Sequence, residues 1–422
     1  MTIKTVLYVC EDVPVLNTAG HTTYINAFLS NLIDLDYDVH VLVTGNHFPS
    51  PIFRFSSVTS LPSIKSEIPK AWRLWSDVYF SHPLGLIKWA YRKLFKPLVR
   101  VFNGKESNHS LSSTVHIGRW LKSLEAKRIS PFIIALRPDV VLIDTILRSP
   151  VLDYLPSSTK SILIGHDVFH QRCRSLIASG LHPVPNVSLE EESRALQQFD
   201  ALIGITEADA SVYSTICRNI PVIALASPVQ IQKNIPLRQQ THHIFYLGSQ
   251  AQINVDGLNW FLKAVWPLAK RDRPELILDV VGSVGAQIHS VDSDVRIHGR
   301  IDDFSEIASE AMFSINPVRA GSGLKIKMID YFAHGLGCIT TSIGAAGFPQ
   351  SQDSPIAVCD DAIAFAAKVV EWSSDLNQCN QQSENARLYV KQFTIEEFRI
   401  ALQNLIIRVT GNEIVLANRT PL

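Results

Sequence analysis

Short apolar, β-rich runs alternate with amphipathic helical stretches along almost the whole chain. Strand, helix and strand at this interval predict parallel strands in a doubly wound sheet, with helices between them. The predicted strands of the first half cover residues 5–10, 39–44, 140–144, 161–166 and 201–206. Those of the second half cover residues 244–248, 276–282, 295–299, 313–317 and 338–341. The pattern therefore predicts two successive domains of the same α/β kind.

A chain of 422 residues is too long for one ordinary core and fits two domains of typical size. Residues 226–242 contain two prolines and no periodicity, so they are interpreted as the linker. The predicted domains are residues 1–225, with an insertion at about 50–130, and residues 243–395. A last helical segment, residues 396–422, is expected to cross back onto the first domain.

Composition excludes several classes of function. Lys plus Arg and Asp plus Glu number 39 each, so a polyanion-binding surface is not expected and nucleic acid is a poor partner. The six cysteines are scattered, which argues against a zinc ribbon or a disulfide framework and suits a reducing compartment. No run approaches 18 uncharged apolar residues, and the N-terminus is typical of a first strand rather than a signal peptide. The sequence thus predicts a cytoplasmic protein.

One region departs from this balance. Residues 65–105 contain nine Lys and Arg residues and two acidic ones, a local charge of 9 − 2 = +7. Aromatic residues are interleaved with them: Trp72, Trp75, Tyr79, Phe80, Trp89, Tyr91 and Phe95. This composition favours an interfacial helix on an anionic membrane surface. The alternative is a helical insertion that packs its aromatic residues on its own domain.

The stretch PVRAGSGLKIKMIDYFAHG, residues 317–335, follows a predicted strand with a small-residue turn and a helix. A helix that begins in such a turn presents free backbone N–H groups to an anion, and Lys325 adds a full positive charge. Asp330 lies seven residues beyond Gly323, a rise of roughly 10 Å on one helix face, which suits a ribose beyond a diphosphate. The alternative is that Ser322 is an ordinary N-cap, with Lys325 and Asp330 at a solvated helix end.

Residues 244–348 closely resemble the C-terminal half of retaining glycosyltransferase family 4. The resemblance is carried by IFYLGSQAQINVDG, VRIHGRIDDF and the turn and helix just described. It is looser in NTAGHTTYINAFLSNLIDLDYDVHVLVT and in DALIGITEADASVY, which are similar to the first and last units of the family's N-terminal domain. The resemblance implies the GT-B fold, two Rossmann-like doubly wound parallel-sheet domains that face a central cleft.

The resemblance also implies roles for particular residues. A sugar nucleotide, UDP- or GDP-linked, would bind mainly to the C-terminal domain, and a glycan or lipid-linked acceptor to the N-terminal domain. The residues implied in donor binding are Gly20, Arg319, Ser322, Gly323, Leu324, Lys325 and Asp330. His166 matches a histidine near the transferred sugar, where an uncharged imidazole would hydrogen-bond the sugar. No cofactor or metal is expected, and the enzyme would act in surface polysaccharide or glycoconjugate synthesis, peripherally on the inner face of the membrane.

The sequence departs from the family at two points. The first of two glutamates that many members carry is replaced by the GSG turn, and the loop GSQAQINVDG lacks the usual basic residue. Three alternatives stay open: a dinucleotide enzyme, for which a full Gly-x-Gly-x-x-Gly turn is missing, a sugar-nucleotide epimerase or hydrolase, and a non-catalytic binding protein. The Asp-Ser-Asp sequence at 292–294 is interpreted as a solvated turn rather than a metal motif.

Overall fold

The computed structural model describes residues 5–15, 20–81, 114–232, 237–288, 292–301, 303–321, 325–348 and 353–411. Within them, the strands of the N-terminal domain are β1 (Thr5–Cys10), β2 (Asp38–Val43), β3 (Ile52–Arg54), β4 (Lys65–Glu67), β5 (Ala71–Arg73), β6 (Val78–Ser81), β7 (Thr114–His116), β8 (Val140–Asp144), β9 (Lys160–Gly165), β10 (His182–Val184), β11 (Ala201–Gly204) and β12 (Val222–Ala224). Its helices are α1 (Gly20–Asp34), α2 (Phe55–Thr59), α3 (Ser123–Leu136), α4 (Phe169–Ala178), α5 (Leu189–Leu196) and α6 (Glu207–Ile216), and a 3₁₀ segment covers Ile146–Tyr154.

The main sheet of this domain is parallel, with strand order β12-β11-β9-β8-β1-β2-β4. Both faces of β1 are buried, because Val6 and Tyr8 pack into one apolar cluster and Leu7 and Val9 into another. Burial on both faces explains why the central strands read as continuous apolar runs. The carboxyl ends of β1, β8, β9 and β11 meet at one edge, where ligands bind in sheets of this topology.

The C-terminal domain repeats this architecture. Its strands are β13 (His243–Leu247), β14 (Ile277–Val281), β15 (Val295–Gly299), β16 (Phe313–Asn316), β17 (Cys338–Thr340) and β18 (Ile356–Val358). They form one parallel sheet in the order β15-β14-β13-β16-β17-β18. Its helices are α7 (Gln252–Trp260), α8 (Trp266–Asp272), α9 (Ser305–Glu310), α10 (Ile326–Ala333), α11 (Ala362–Ser374), α12 (Leu376–Tyr389) and α13 (Ile395–Thr410). A π turn covers Phe261–Val265, and 3₁₀ segments cover Ser283–Gln287 and Val390–Phe393. The predicted pair of doubly wound parallel sheets is thereby confirmed.

The last described helix, α13, packs on the N-terminal domain. The ring of Phe398 lies 4.9 Å from that of Phe28 on α1, and Arg399 forms an ion pair with Asp34 at 2.6 Å. Leu402 and Ile406 are buried in the same apolar cluster. The chain therefore crosses between the domains twice, once near residue 225 and once before α13.

The described part of the basic and aromatic segment differs from the predicted helix. Residues 65–81 contribute β4 to the main sheet, and β5 and β6 pair with β3 in a small antiparallel sheet. Tyr79 and Phe53 stack at 5.8 Å on the buried face of that sheet. Aromatic residues favour strands when one side can be buried, which explains why the helical interpretation was wrong here. The rest of the segment, from residue 82 to 105, lies outside the described residues.

Candidate active site

The turn that follows β16 brings the C-terminal domain against the N-terminal domain. Gly321 adopts φ +111°, a conformation that favours glycine. Its backbone N–H donates a hydrogen bond to the hydroxyl of Ser175, on α4, over 3.3 Å. The next residues, Ser322, Gly323 and Leu324, lie outside the described residues. The described part of the predicted phosphate turn thus lies at the domain interface.

Lys325, which immediately precedes α10, is the charged group of that turn. Its side chain is buried, with the residue 8% exposed. Burial lowers the pKa of Lys325 to about 8, while the carboxylates of Asp167 and Asp209 on the N-terminal domain raise it. The ammonium of one domain therefore faces acidic groups of the other, as expected for a group that closes a cleft.

Asp330 lies five residues further along, on α10. The helix begins at Ile326 and not at the glycine turn, so the helical span is counted from its N-cap, Lys325, two residues later than the sequence analysis assumed. The rise from Lys325 to Asp330 is roughly 7 Å, whereas roughly 10 Å was expected from Gly323 to Asp330. Burial raises the pKa of Asp330 to about 7. The hydroxyl of the next residue, Tyr331, accepts the backbone N–H of Leu247 over 2.9 Å, which fixes α10 to the end of β13.

Lys327 is a cation of this region that the sequence analysis did not single out. Its ammonium donates to the side chain of Asn254 over 3.0 Å and lies 4.7 Å from the ring centre of Tyr246. Burial lowers the pKa of Lys327 to about 7. Lys327 thus lies beside β13 and α7, next to the loop that lacks the family's usual basic residue.

Arg319, the expected helper in phosphate binding, contacts other groups in this structure. It forms an ion pair with Asp256 at 3.0 Å, and its guanidinium lies 5.5 Å from the ring centre of Trp260. Arg319 and Asp256 line a cavity of about 240 Å³ at the interface, which Ser179 and Leu181 line from the N-terminal domain. Arg319 thus lies at the interface between the domains. In sequence it precedes Gly321, whereas Lys325 follows it.

On the N-terminal side, His166 follows β9 and contacts the carboxylate of Asp144, at the end of β8. Both side chains are largely buried. Burial lowers the pKa of His166, but the Asp144 carboxylate more than compensates, so that the pKa lies above its ordinary value. The imidazole of His166 therefore stays protonated to a higher pH than an ordinary histidine does, whereas the sequence analysis expected an uncharged ring. Asp144 ends a buried strand, and that was the signal by which it could have been found.

Two further features lie next to the pair of His166 and Asp144. Thr145, directly after Asp144, has φ +76°, which is unusual for a β-branched residue and typical of functional sites. The ring of Tyr24, on α1, meets the His166 ring edge-on at 5.4 Å. Gly20 is the first residue of α1, four positions before Tyr24. Gly20 and Tyr24 are therefore separated by a rise of roughly 6 Å along the helix axis.

Arg172, on α4, completes the group of charges at the interface. Its guanidinium pairs with the carboxylate of Asp167. Its charge lowers the pKa of both Lys325 and His166, which shows that it lies within electrostatic reach of the two predicted site residues. Asp209, on α6, is buried, and this raises its pKa to about 6. Three charged groups of the N-terminal domain, Asp167, Arg172 and Asp209, therefore lie within electrostatic reach of Lys325.

This arrangement suits a bound, doubly charged diphosphate. Two cations from opposite domains, Lys325 and Arg172, would neutralise it, while His166, which contacts Asp144, can donate a hydrogen bond. Charge-assisted hydrogen bonds of this kind are shorter and stronger than neutral ones. The acidic groups Asp167 and Asp209 would keep the cations in place when no ligand is bound.

Two further features are absent from the described residues. None of their helices is both long and apolar enough to cross a bilayer. They also contain no group of three or more His, Cys, Asp or Glu side chains placed to bind a metal ion. In the Asp-Ser-Asp sequence at 292–294, the backbone N–H of Asp294 donates to the carboxylate of Asp292 over 3.3 Å. The carboxylate of Asp294 forms an ion pair with Lys270 at 2.7 Å.

Comparison with solved structures defines the class of fold. TarM of S. aureus superposes with a TM-score of 0.67 at 10% identity, over 96% of this chain and 99% of that one. The pneumococcal O-GlcNAc transferase GtfA, solved with UDP and GlcNAc, superposes with a TM-score of 0.65 at 10% identity, over 97% of this chain and 100% of that one. These likenesses confirm the GT-B fold.

Sequence comparison concerns the C-terminal domain in particular. Residues 241–375 match the family model described as Glycosyl transferases group 1. An uncharacterised 44.6 kDa protein in the cps region of Klebsiella pneumoniae is 23% identical over 150 residues, which are 33% of this chain and 39% of that protein. The residues that match the family model include β13, β16, Lys325 and Asp330, which belong to the part of the chain on which the family resemblance was based.

Proposed function

We propose that this protein is a retaining glycosyltransferase that moves a sugar from a nucleotide-diphosphate sugar to a glycan or lipid-linked acceptor. The observation that carries the proposal is the position of Lys325, which belongs to the matched C-terminal domain and faces Asp167, Asp209 and Arg172 of the other domain. A cleft with cations on both sides is what a diphosphate leaving group requires.

In this proposal the donor binds along the turn and α10. Lys325 and the backbone of Ser322, Gly323 and Leu324 hold the diphosphate, and Asp330 accepts the ribose hydroxyls. Gly20 closes over the phosphates from the N-terminal domain. Arg319 is a secondary donor-binding residue, since it must leave Asp256 to reach a phosphate. Arg172 supplies the positive charge that the loop after β13 lacks.

Transfer then occurs on one face of the sugar. The bond between the anomeric carbon and the phosphate oxygen breaks, and a bond from the acceptor oxygen forms on the same side. The acceptor proton goes to the departing phosphate oxygen, so no carboxylate is required behind the sugar. His166 hydrogen-bonds the transferred sugar and is oriented by Asp144.

The relatives support this reading of substrate and setting. GtfA is described as an O-GlcNAc transferase in complex with UDP and GlcNAc, and the Klebsiella protein is placed in a cps region. We propose a UDP- or GDP-sugar donor and an acceptor of surface polysaccharide or glycoconjugate synthesis. The enzyme would act in the cytoplasm, peripherally on the inner face of the membrane, through residues 65–105.

Nucleotide release tests the proposal against its alternatives. The purified chain is incubated with UDP- and GDP-sugars, with and without a lipid-linked acceptor. A transferase releases nucleotide chiefly when acceptor is present, a hydrolase releases it equally in both cases, and an epimerase converts the sugar without release. A binding protein shows a donor-dependent rise in melting temperature and no turnover. The last three results would each overturn the proposal.

The configuration of the product is the second test. Because the acceptor attacks from the side that the phosphate leaves, the new linkage is expected to keep the anomeric configuration of the donor sugar. NMR of the isolated product, with the donor as reference, reads this directly. An inverted anomeric centre would show that the mechanism is not the retaining one.

We also propose that transfer needs no divalent metal or other cofactor. The start of α10, Lys325 and Arg172 supply the positive charge that a bound cation supplies in other enzymes. The rate of transfer should therefore be unchanged after treatment with EDTA. Loss of activity that Mg²⁺ or Mn²⁺ restores would contradict this part of the proposal, and a mock-treated sample serves as the control.

Donor affinity is expected to depend on pH through two groups with shifted pKa values. Asp330, with a pKa of about 7, must be ionised to accept ribose hydroxyls, so affinity should rise with pH through 7. Lys325, with a pKa of about 8, loses its charge above that value, so affinity should then fall. Calorimetric titration with UDP from acid to alkaline pH should show a maximum between them.

The variant Asp330→Asn provides the control for this profile. It keeps the size of the side chain but cannot ionise, so its acid limb should flatten while the alkaline limb remains. Titration of the nucleotide itself affects both proteins equally and cancels in the comparison. An acid limb that is identical in the two proteins would show that Asp330 does not contact the ribose.

A further inference from the structure

The cavity beside Arg319 is formed by both domains and has a volume of about 240 Å³. Binding sites for drug-sized ligands usually have volumes of roughly 300 Å³ or more, so this one suits a single small ring rather than a nucleotide. The residues that line it include Ser179 and Leu181 of the N-terminal domain and Gln252, Ile253, Asp256 and Arg319 of the C-terminal domain.

The cavity lies about two helical turns from Arg172, the cation of the candidate site on α4. Ser175 lies one turn after Arg172, and Ser179 directly follows the last residue of the helix. The rise from Arg172 to Ser179 is roughly 10 Å. Between them, the Ser175 hydroxyl donates to the carbonyl oxygen of Gly321 over 3.5 Å and accepts its backbone N–H over 3.3 Å. The cavity therefore lies beyond this contact, apart from the charged group that faces Lys325.

The two charged side chains of the cavity compensate each other. Arg319 donates to both carboxylate oxygens of Asp256, over 3.2 and 3.0 Å, and its guanidinium lies 5.5 Å from the ring centre of Trp260. Both charged side chains are 45% exposed, so other N–H groups and lone pairs of the pair can contact a ligand. A site with a paired cation and carboxylate favours a neutral ligand over an anion.

The remaining walls combine hydrogen-bonding groups with apolar side chains. The side-chain amide of Gln252, the first residue of α7, forms no hydrogen bond within the described residues. The Ser179 hydroxyl donates to the carbonyl oxygen of Ser175 over 3.0 Å, which leaves its lone pairs to accept. Leu181 and Ile253 supply the apolar part. A ligand here can thus meet donors, acceptors and an apolar surface together.

A sugar ring has the matching groups. Its hydroxyls donate and accept hydrogen bonds at neighbouring carbon atoms, and its C–H groups form an apolar face. A carboxylate can accept two neighbouring hydroxyls, while a guanidinium or an amide can donate to them. A phosphate does not suit the cavity, because the described lining residues include no cation free of a carboxylate partner.

We propose that this cavity binds a neutral sugar ring, a unit of the acceptor glycan other than the one that receives the new sugar. The roughly 10 Å from Arg172 favours such a unit over the transferred sugar, which would lie beside His166. The inference rests on the proposed function in that the ring is assigned to the acceptor. Sugar binding itself can be measured without donor or turnover.

Saturation-transfer NMR of the full chain tests the proposal. The probes are the methyl glycosides of glucose, galactose, mannose and N-acetylglucosamine, with glycerol as a polyol that has no ring. At least one glycoside should receive saturation that glycerol does not. Gln252→Ala should weaken its binding about two- to tenfold, because one hydrogen-bonding side chain is lost. Leu181→Trp should abolish binding, because the larger side chain fills the cavity.

Leu189→Trp is the matched control. Leu189 begins α5, in the same domain, and is 52% exposed outside the cavity. This variant should bind the glycoside like wild type. Thermal unfolding checks that each variant is folded, and Gln252→Ala decides the test if Leu181→Trp is not. Arg319 stays unchanged, because the proposed donor site also involves it.

Competition separates the cavity from the donor site. UDP at saturation should leave the glycoside bound, and so should UDP-glucose or UDP-N-acetylglucosamine. Displacement by UDP would assign the cavity to the nucleotide. Displacement by a UDP-sugar but not by UDP would assign it to the transferred sugar. Either result would overturn the proposal.

Three results without competitor would also overturn it. They are binding of no glycoside, binding that glycerol equals, and equal binding by wild type, Gln252→Ala and Leu181→Trp. A protein that transfers sugar but binds no glycoside would overturn this inference alone. A protein that binds a glycoside through Gln252 and transfers no sugar would overturn the proposed function and leave the sugar site intact.

Discussion

Lys325→Ala is expected to lower the turnover number for sugar transfer by on the order of 10² or more. The ammonium lies at the start of α10, where the helix adds partial positive charge, and it faces the N-terminal domain. Negative charge grows on the diphosphate as the sugar departs, so Lys325 stabilises the transition state more than the ground state. Steady-state kinetics with a saturating donor measure the loss in kcat.

The variant Lys325→Arg keeps the charge but changes its shape, and it should retain part of the activity. Lys325→Ala removes an unfavourable burial of charge, so the variant should fold at least as well as wild type in the absence of donor. Thermal unfolding with and without UDP checks this, and only the ligand-induced shift should disappear. If Lys325→Ala has the same kinetic constants as wild type, Lys325 does not bind the diphosphate and the assignment of the phosphate site is wrong.

The fold could be predicted from sequence because its signal is local and repeated. Strands such as Val140–Asp144 are buried on both faces and therefore appear as continuous apolar runs. Each is followed by a helix within a short interval, and that order alone implies parallel pairing. The positions of Lys325 and Asp330 could be predicted for the same reason, since one turn and one helix fix both.

The other side of the site could not be predicted in this way. His166 and Asp144 are 22 residues apart in sequence and meet because β8 and β9 are neighbours in the sheet. Arg172 and Lys325 come together only when the two domains face each other. Spacing along the chain carries no information about such contacts, so the pairing of His166 with Asp144 and the approach of Arg172 to Lys325 could be found only in the structure.

The basic and aromatic segment shows a different limit. Its composition was correctly recognised as unusual, but composition does not specify secondary structure. Residues 71–73 and 78–81 form strands in which alternate side chains lie on opposite faces, as the buried Tyr79 and the partly exposed Phe80 do. Three-residue strands such as Ala71–Arg73 are too short to show a clear period of two in sequence.

Arg172→Gln is expected to lower kcat/KM for the donor by about 10- to 100-fold. The family resemblance implies a basic residue after the first strand of the C-terminal domain, and residues 248–251 contain none. Arg172 lies within electrostatic reach of Lys325 on the opposite domain, and Ser175, one turn further along α4, contacts the glycine turn at Gly321. These contacts support the proposal that Arg172 acts in place of the missing cation.

Arg174→Gln provides the matched control, since Arg174 lies on the same helix and is exposed to solvent. Loss of Arg172 also leaves Asp167 without that partner, so Arg172→Lys and thermal unfolding separate charge from stability. If both cations neutralise one leaving group, the combined loss in Arg172→Gln with Lys325→Ala should differ from the product of the two single losses. Equal kinetics in Arg172→Gln and Arg174→Gln would show that the second cation lies elsewhere. Lys327 would then be the next residue to change, because its ammonium lies beside the loop in question.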